Sequence, residues 1–296
     1  MKLTFIGTAA FAVPSLRALH RAGHAVALVV TQPDRPGNRM RLTPPAVKVA
    51  ARELGLEVFQ PERIRAPEAV DRLAALGPEL AVVVAYGQII PRSVLAIPPR
   101  GVLNVHGSLL PRHRGAAPIA HAILSGDTVT GVTIMQMDEQ LDHGPILAMR
   151  ETTIGPREDA AALAERMAAM GAELLVATVA RLDEITPVEQ DHAAATVAPK
   201  LAKQDGDLDW DLDAGELDRR VRGLHPWPGV TLPLAGERIK VLRGRPMEGS
   251  GVPGEVLRVG RDGVEVAAGR GSYLLEEVQP PGRRAMAPQA LVANRA

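Results

Sequence analysis

Hydrophobic positions across residues 1–155 come in two textures. Short, continuous apolar runs such as Leu80-Ala-Val-Val-Val-Ala85 alternate with stretches whose apolar residues recur at helical spacing. A run that is apolar at successive positions suits a strand covered on both faces, as in a parallel sheet between helices. Strands are predicted at 3–6, 25–31, 57–59, 80–85, 101–105, 131–137 and 146–151, and helices at 15–22, 46–54, 69–75 and 118–124. Gly23, Gly55, Gly77 and Gly126 each follow a predicted helix, where a C-terminal cap demands a residue tolerant of positive φ. Such alternation predicts an α/β fold with an open, largely parallel, Rossmann-like sheet.

Residues 158–182 form the longest predicted helix, with Leu163, Met167, Met170, Leu174 and Leu182 close to one face. The methionines are read as core. Periodicity is lost over 185–204. Beyond it the texture becomes short strand-like pieces at 229–233, 238–242, 254–259, 263–267 and 272–278, split by Gly and Pro. Frequent turns between short strands predict a small OB-like β-barrel. The expected organisation is a sheet domain at 1–188, a linker at 189–204 and a C-terminal β-barrel domain at 205–296.

Composition narrows the chemistry. Apolar residues make up 46% of the chain but aromatics only 2%, so aliphatic side chains must fill the core. There is no cysteine, which excludes disulfides, thiolate nucleophiles and cysteine-ligated metals. No apolar run approaches the roughly 20 residues that a bilayer span requires. The opening Met1-Lys-Leu-Thr-Phe-Ile-Gly7 reads as a strand and a turn, so a cytoplasmic protein is expected. Lys plus Arg equals Asp plus Glu, at 34 each, so any basic surface must be local.

Three segments hold candidate chemistry. Gly7-Thr-Ala-Ala-Phe-Ala12 follows the first strand with one glycine, whereas a dinucleotide fingerprint requires G-x-G-x-x-G. That pattern is therefore not met, and the segment is either a helix start offering its N-terminal amides to an anionic group or a plain strand-to-helix turn. Asn104 and His106 sit two apart in a strand-like run, so both side chains share one sheet face near a carboxyl end. They are either satisfied core polar groups or donors to an oxygen gaining charge, as acyl transfer requires. Asp138, Glu139 and Asp142 lie in a loop between two apolar runs. That loop is a solvated turn, a weak cation site, or a bend at His143-Gly144-Pro145 that aims one carboxylate inward. His20 and His24 are four apart, but Gly23 interrupts the helix, and no metal site is expected.

The run from Asn104-Val-His-Gly-Ser-Leu-Leu-Pro111 through Arg112-His-Arg-Gly-Ala-Ala-Pro118 resembles the signature of the formyltransferases that use 10-formyltetrahydrofolate. Further runs resemble the branch of that family that formylates initiator methionyl-tRNA. They are Phe11-Ala-Val-Pro-Ser-Leu16, Thr31-Gln-Pro-Asp-Arg-Pro36, Val82-Val-Val-Ala-Tyr-Gly87, Gly131-Val-Thr-Ile-Met-Gln-Met-Asp138 and Pro226-Trp-Pro228. The resemblance implies a catalytic set of Asn104, His106 and Asp142, with 10-formyltetrahydrofolate as co-substrate and no metal. It places the folate beside backbone groups of Gln88 and Ile90, with Ser108, Leu109, Leu110 and Pro111 lining the pocket. It also implies a tRNA-contacting loop carrying Arg35, Arg39 and Arg41, a tRNA-binding C-terminal domain, and a monomer. The chain departs from the family pattern at Ala9, where Pro is usual, and at Gln140 and His143, where Gly and Thr are usual.

Local charge bears on the acceptor. Residues 205–218 carry only acidic charges, and 219–245 carry Glu237 against seven bases. Such a run is either a solvated face or a stripe that tracks an RNA backbone. The same chemistry on glycinamide ribonucleotide, an amino sugar or water is the nearest alternative, and an inactive RNA-binding scaffold is the more distant one.

Overall fold

In the computed structural model, which describes residues 1–36 and 42–292, the continuous apolar runs become buried strands. The order is β1 (Lys2–Gly7), α1 (Val13–Arg21), β2 (Ala25–Val30), β3 (Arg35–Pro36), β4 (Leu42–Thr43), α2 (Ala46–Glu53), β5 (Val58–Phe59) and α3 (Pro67–Leu76). There follow β6 (Leu80–Val84), α4 (Arg92–Leu95), β7 (Val102–His106), β8 (Arg114–Gly115), α5 (Pro118–Leu124), β9 (Val129–Gln136), β10 (Ile146–Thr153) and α6 (Ala160–Ala180). The predicted glycine caps are present, with φ of +79° at Gly23, +69° at Gly55, +56° at Gly77 and +79° at Gly126.

Seven of these strands form one sheet in the order β10-β9-β7-β6-β1-β2-β5. From β5 to β7 all neighbours are parallel, while β9 runs antiparallel to β7, and β10 to β9. Every residue of β6 and β7 is buried, β6 with apolar side chains throughout and β7 with Asn104 and His106 on one face. The chain builds outward from β1 in both directions, so the crevice favoured by ligands lies beyond the carboxyl ends of its central strands. At β1 and β6 the protein ties that edge together itself: the Thr8 hydroxyl and the Gln32 side-chain amide both donate to the Tyr86 carbonyl, at 2.8 and 2.7 Å. Gly7 is demanded by packing, since a Cβ there would lie 2.9 Å from the Val84 carbonyl oxygen. In α6, Leu163 and Met167 are fully buried, and Gly171 lets the helix lie close to Val105 of β7 and Val132 of β9.

The remainder comprises β11 (Val197–Ala198), α7 (Ala214–Gly223), β12 (Val230–Leu234), β13 (Glu237–Met247), β14 (Val256–Gly260), β15 (Gly263–Ala267), β16 (Ser272–Gln279) and α8 (Gln289–Val292). Strands β12 to β16 form an antiparallel sheet in the order β12-β13-β16-β15-β14. Leu217 and Val221 of α7 share a core with Trp210, Leu232, Ile239 and Tyr273. Helix α7 lies inside the charged stretch and was not expected. Its N-cap is Asp213, whose carboxylate accepts from the amides of Gly215 and Glu216. The chain divides into two compact units. The first contains 1–118, 129–153 and 164–198, and the second contains 119–128, 154–163 and 199–296.

Candidate active site

Strand β7 delivers Asn104 and His106 to one face, opposite Met135 and Thr133 of β9, and both side chains are buried. The third member arrives from the loop between β9 and β10. Asp142 adopts a left-handed conformation, φ +48°, that turns its carboxylate inward. The Asn104 amide donates to Asp142 Oδ1 at 3.4 Å, and His106 Nδ1 lies 3.7 Å from the same oxygen. Asp142 Oδ2 accepts from the Gly115 amide at 2.8 Å. His106 Nε2 donates to the His113 carbonyl at 2.9 Å, which fixes the proton on that side of the ring. Nδ1 is therefore the nitrogen free to gain or lose a proton, and it faces Asp142. An amide N–H and a ring nitrogen thus converge on one oxygen of the Asp142 carboxylate, an arrangement suited to charge stabilisation and proton transfer in acyl transfer.

The turn after β7 holds this geometry. The Thr133 hydroxyl donates to the Ser108 carbonyl at 2.7 Å and accepts from the Leu110 amide at 3.1 Å, while Ser108 Oγ donates to the Arg112 carbonyl at 2.6 Å. Ser108 and Leu110 are buried, and Leu109 and Pro111 are half-buried. The Gln88 side chain accepts from the Ile64 amide and donates to the Glu62 carbonyl, so what it can offer a ligand is its backbone. Ile90 is buried a few residues beyond the carboxyl end of β6. His143 turns away from Asp142: its Nδ1 donates to Asp138 Oδ2 at 2.7 Å and its ring stacks on His192 at 3.9 Å. The Arg35 side chain donates to Gln32 Oε1 at 2.5 Å. Arg39 and Arg41 lie outside the described residues.

Several contacts had no signal in the pattern. Gln190, His192 and Thr196, within or beside the stretch expected as a linker, reach the site: Gln190 bonds the Asp142 loop, and Thr196 accepts from the His113 amide at 2.8 Å. Much of the basic run is paired inside its own unit, with Arg220 to Glu216, Arg222 to Asp218, Arg238 to Asp207 and Asp209, and Arg245 to Glu276. Among the described residues, no group of three or more His, Asp or Glu side chains could hold a metal ion, and no helix is long and apolar enough to cross a membrane.

Comparison with known proteins gives these features a family. Residues 1–179 match the Formyl transferase family, and residues 200–295 match the Formyl transferase, C-terminal domain family. The chain is 49% identical over 300 residues to the methionyl-tRNA formyltransferase of Solibacter usitatus, covering 99% of this chain and 95% of that one. It is 48% identical over 287 residues to the protein of the same name from Citrifermentans bemidjiense, covering 96% and 90%. Among solved structures, the N-formyltransferase of Helicobacter canadensis in complex with folinic acid and dTDP-3-aminofucose superimposes with a TM-score of 0.67 at 14% identity, covering 95% of this chain and 99% of that one. With a matched formyl transferase family over residues 1–179, a matched C-terminal domain family and relatives nearly half identical along almost its whole length, the chain belongs to the formyl transferase family.

Proposed function

We propose that this enzyme transfers the formyl group of 10-formyltetrahydrofolate to the amino group of methionine on initiator methionyl-tRNA. The observation that carries the chemistry is the convergence of the Asn104 amide and His106 Nδ1 on Asp142 Oδ1 beyond the carboxyl end of β7. The acceptor follows from the two full-length relatives that bear this activity in their names.

The methionyl amine attacks the formyl carbon, forming the new C–N bond and pushing the carbonyl electrons onto oxygen. Asn104 donates to that oxyanion, and His106 does so when Nδ1 carries a proton, a contribution of about 3–4 kcal/mol per well-placed donor. Asp142 takes the proton of the attacking nitrogen, directly or through a water. The tetrahedral intermediate collapses by breaking the bond to N10 of the folate, which leaves with a proton returned through the Asp142–His106 pair. The folate lies beside backbone groups of Gln88 and Ile90, against Ser108, Leu109, Leu110 and Pro111. Arg35, Arg39 and Arg41 meet the acceptor end of the tRNA, and residues 205–296 act as a tRNA-binding domain joined by 189–204 to the catalytic domain at 1–188. The protein acts as a cytoplasmic monomer.

The decisive experiment supplies 10-formyltetrahydrofolate with methionyl-tRNA, glycinamide ribonucleotide, an amino sugar nucleotide, or water alone. Formylation of methionyl-tRNA in clear preference to the others is expected. Faster turnover with any other acceptor overturns the assignment.

A further inference from the structure

Asp142 does its work in a backbone conformation that a side chain with a Cβ rarely adopts, φ +48°, so neighbouring contacts must hold it there. The carboxylate is held by the Gly115 amide. The backbone is held from the other side by a residue far along the chain. Gln190 Nε2 donates to the carbonyls of both Asp142 and Gly144, at 3.0 and 2.7 Å, and the Gln190 side chain is buried.

An amide side chain can face either way, and here its direction is set. Arg114 places Nε and Nη2 at 3.1 and 2.6 Å from Gln190 Oε1, and its Nη2 also donates to His192 Nδ1 at 2.9 Å. A guanidinium has donors and no acceptors, so the Gln190 oxygen must face it and the NH2 must face the two carbonyls. The contacts close a ring. It passes from the Arg114 side chain through Gln190 to the Asp142 carbonyl, along Asp142 to its carboxylate, and back through the Gly115 amide to the residue bonded to Arg114. Strand β8, which carries Arg114 and Gly115, pairs with β11 a few residues after Gln190, so the ring rests on a hydrogen-bonded ladder.

We propose that Gln190, oriented by Arg114, is a positioning residue for formyl transfer: it holds the Asp142 backbone so that the carboxylate stays in register with Asn104 and His106. This rests on the proton-transfer role assigned to Asp142 above. A small misplacement of a reacting group is costly to the chemical step and leaves binding largely intact.

Gln190→Glu tests it, because it keeps an oxygen for Arg114 and removes the donor to both carbonyls. Expected is a fall in kcat of about tenfold or more, with KM for folate and for methionyl-tRNA changed by less than about threefold. Repeating the substitution in an Asp142→Asn background separates positioning from general packing. Single-turnover rates there should drop by less than about twofold, since the group being positioned is already gone. A kcat for Gln190→Glu within twofold of wild type, or an equal loss in both backgrounds, overturns the proposal. If Gln190→Glu does not accumulate as folded protein, Gln190→Ala in the same cycle decides by the same ratios. Failure of the wild-type enzyme to formylate methionyl-tRNA in this assay would instead overturn the parent reading.

Discussion

The imidazole of His106 is occupied on one side and available on the other. With Nε2 donating to the His113 carbonyl, every change in its charge happens at Nδ1, in front of Asp142. Asp142→Asn removes the proton acceptor and preserves shape. Its kcat should fall by about 10²–10⁴, with KM for methionyl-tRNA little changed; near-wild-type turnover would remove Asp142 from the mechanism. A second residue-scale prediction concerns Tyr86, whose buried hydroxyl has no hydrogen-bond partner among the described residues. Burial pushes its pKa up to about 12. The folded-state value lies above the unfolded one, so the stabilisation is full below the ordinary tyrosine value and is lost as pH rises from there through about 12. Tyr86→Phe should leave stability at neutral pH unchanged or raise it by up to ~1 kcal/mol. It should also flatten the alkaline loss, in part only, because burial raises Tyr273 as well. Denaturant melts of both proteins at neutral and alkaline pH check this, and a steeper alkaline loss in the variant would contradict it. The sequence carries no sign of this behaviour: Tyr86 stands in a resemblance run, and burial is a tertiary property.

Among the elements, the loop between β9 and β10 has little room to move. A Cβ on Gly144 would lie 2.0 Å from the Gln136 carbonyl oxygen, and Gly144 itself offers its carbonyl to Gln190. Gly144→Ala must therefore push the loop off β9. Both kcat and thermal stability should fall, with about 2–4 °C lost for each kcal/mol. A variant with unchanged kcat would show that the loop tolerates displacement. Most strands and helices were legible because periodicity is local: several of the parallel strands are continuous apolar runs and the tail strands are separated by Gly and Pro. Helix α7 was not legible, although Ala214, Leu217, Val221 and Leu224 are spaced helically and buried. The charges between them dominate the pattern, and four of these form i,i+4 pairs on the helix itself, Glu216–Arg220 and Asp218–Arg222.

For the whole molecule, the chain order of the two units is interleaved, since 119–128 and 154–163 belong with the C-terminal strands. Periodicity says nothing of such sharing. The same holds for charge. The acidic run at 205–218 answers part of the basic run that follows it, so less positive charge is left without an acidic partner than the sequence suggests. On the function proposed above, this gives a larger share of tRNA affinity to Arg39 and Arg41. Replacing both with Ala should raise KM for methionyl-tRNA and leave KM for folate unchanged. It should also flatten the salt dependence of kcat/KM by about one unit of slope for each phosphate that is no longer neutralised. Unchanged salt dependence in the double variant would make the loop a spectator.

The chain's local order was sufficient for most of the elements, for the largely parallel sheet, and for placing Asn104 and His106 on one face, because strand parity is a property of neighbouring residues. The family motifs added Asp142. Assembly of the site required the fold: Asp142 meets Asn104 across 38 residues, and Gln190 meets Asp142 across 48. Contacts at such separations leave no periodic trace. They depend on where β8, β9 and β11 bring the backbone, and on which carbonyls that packing leaves in need of a donor.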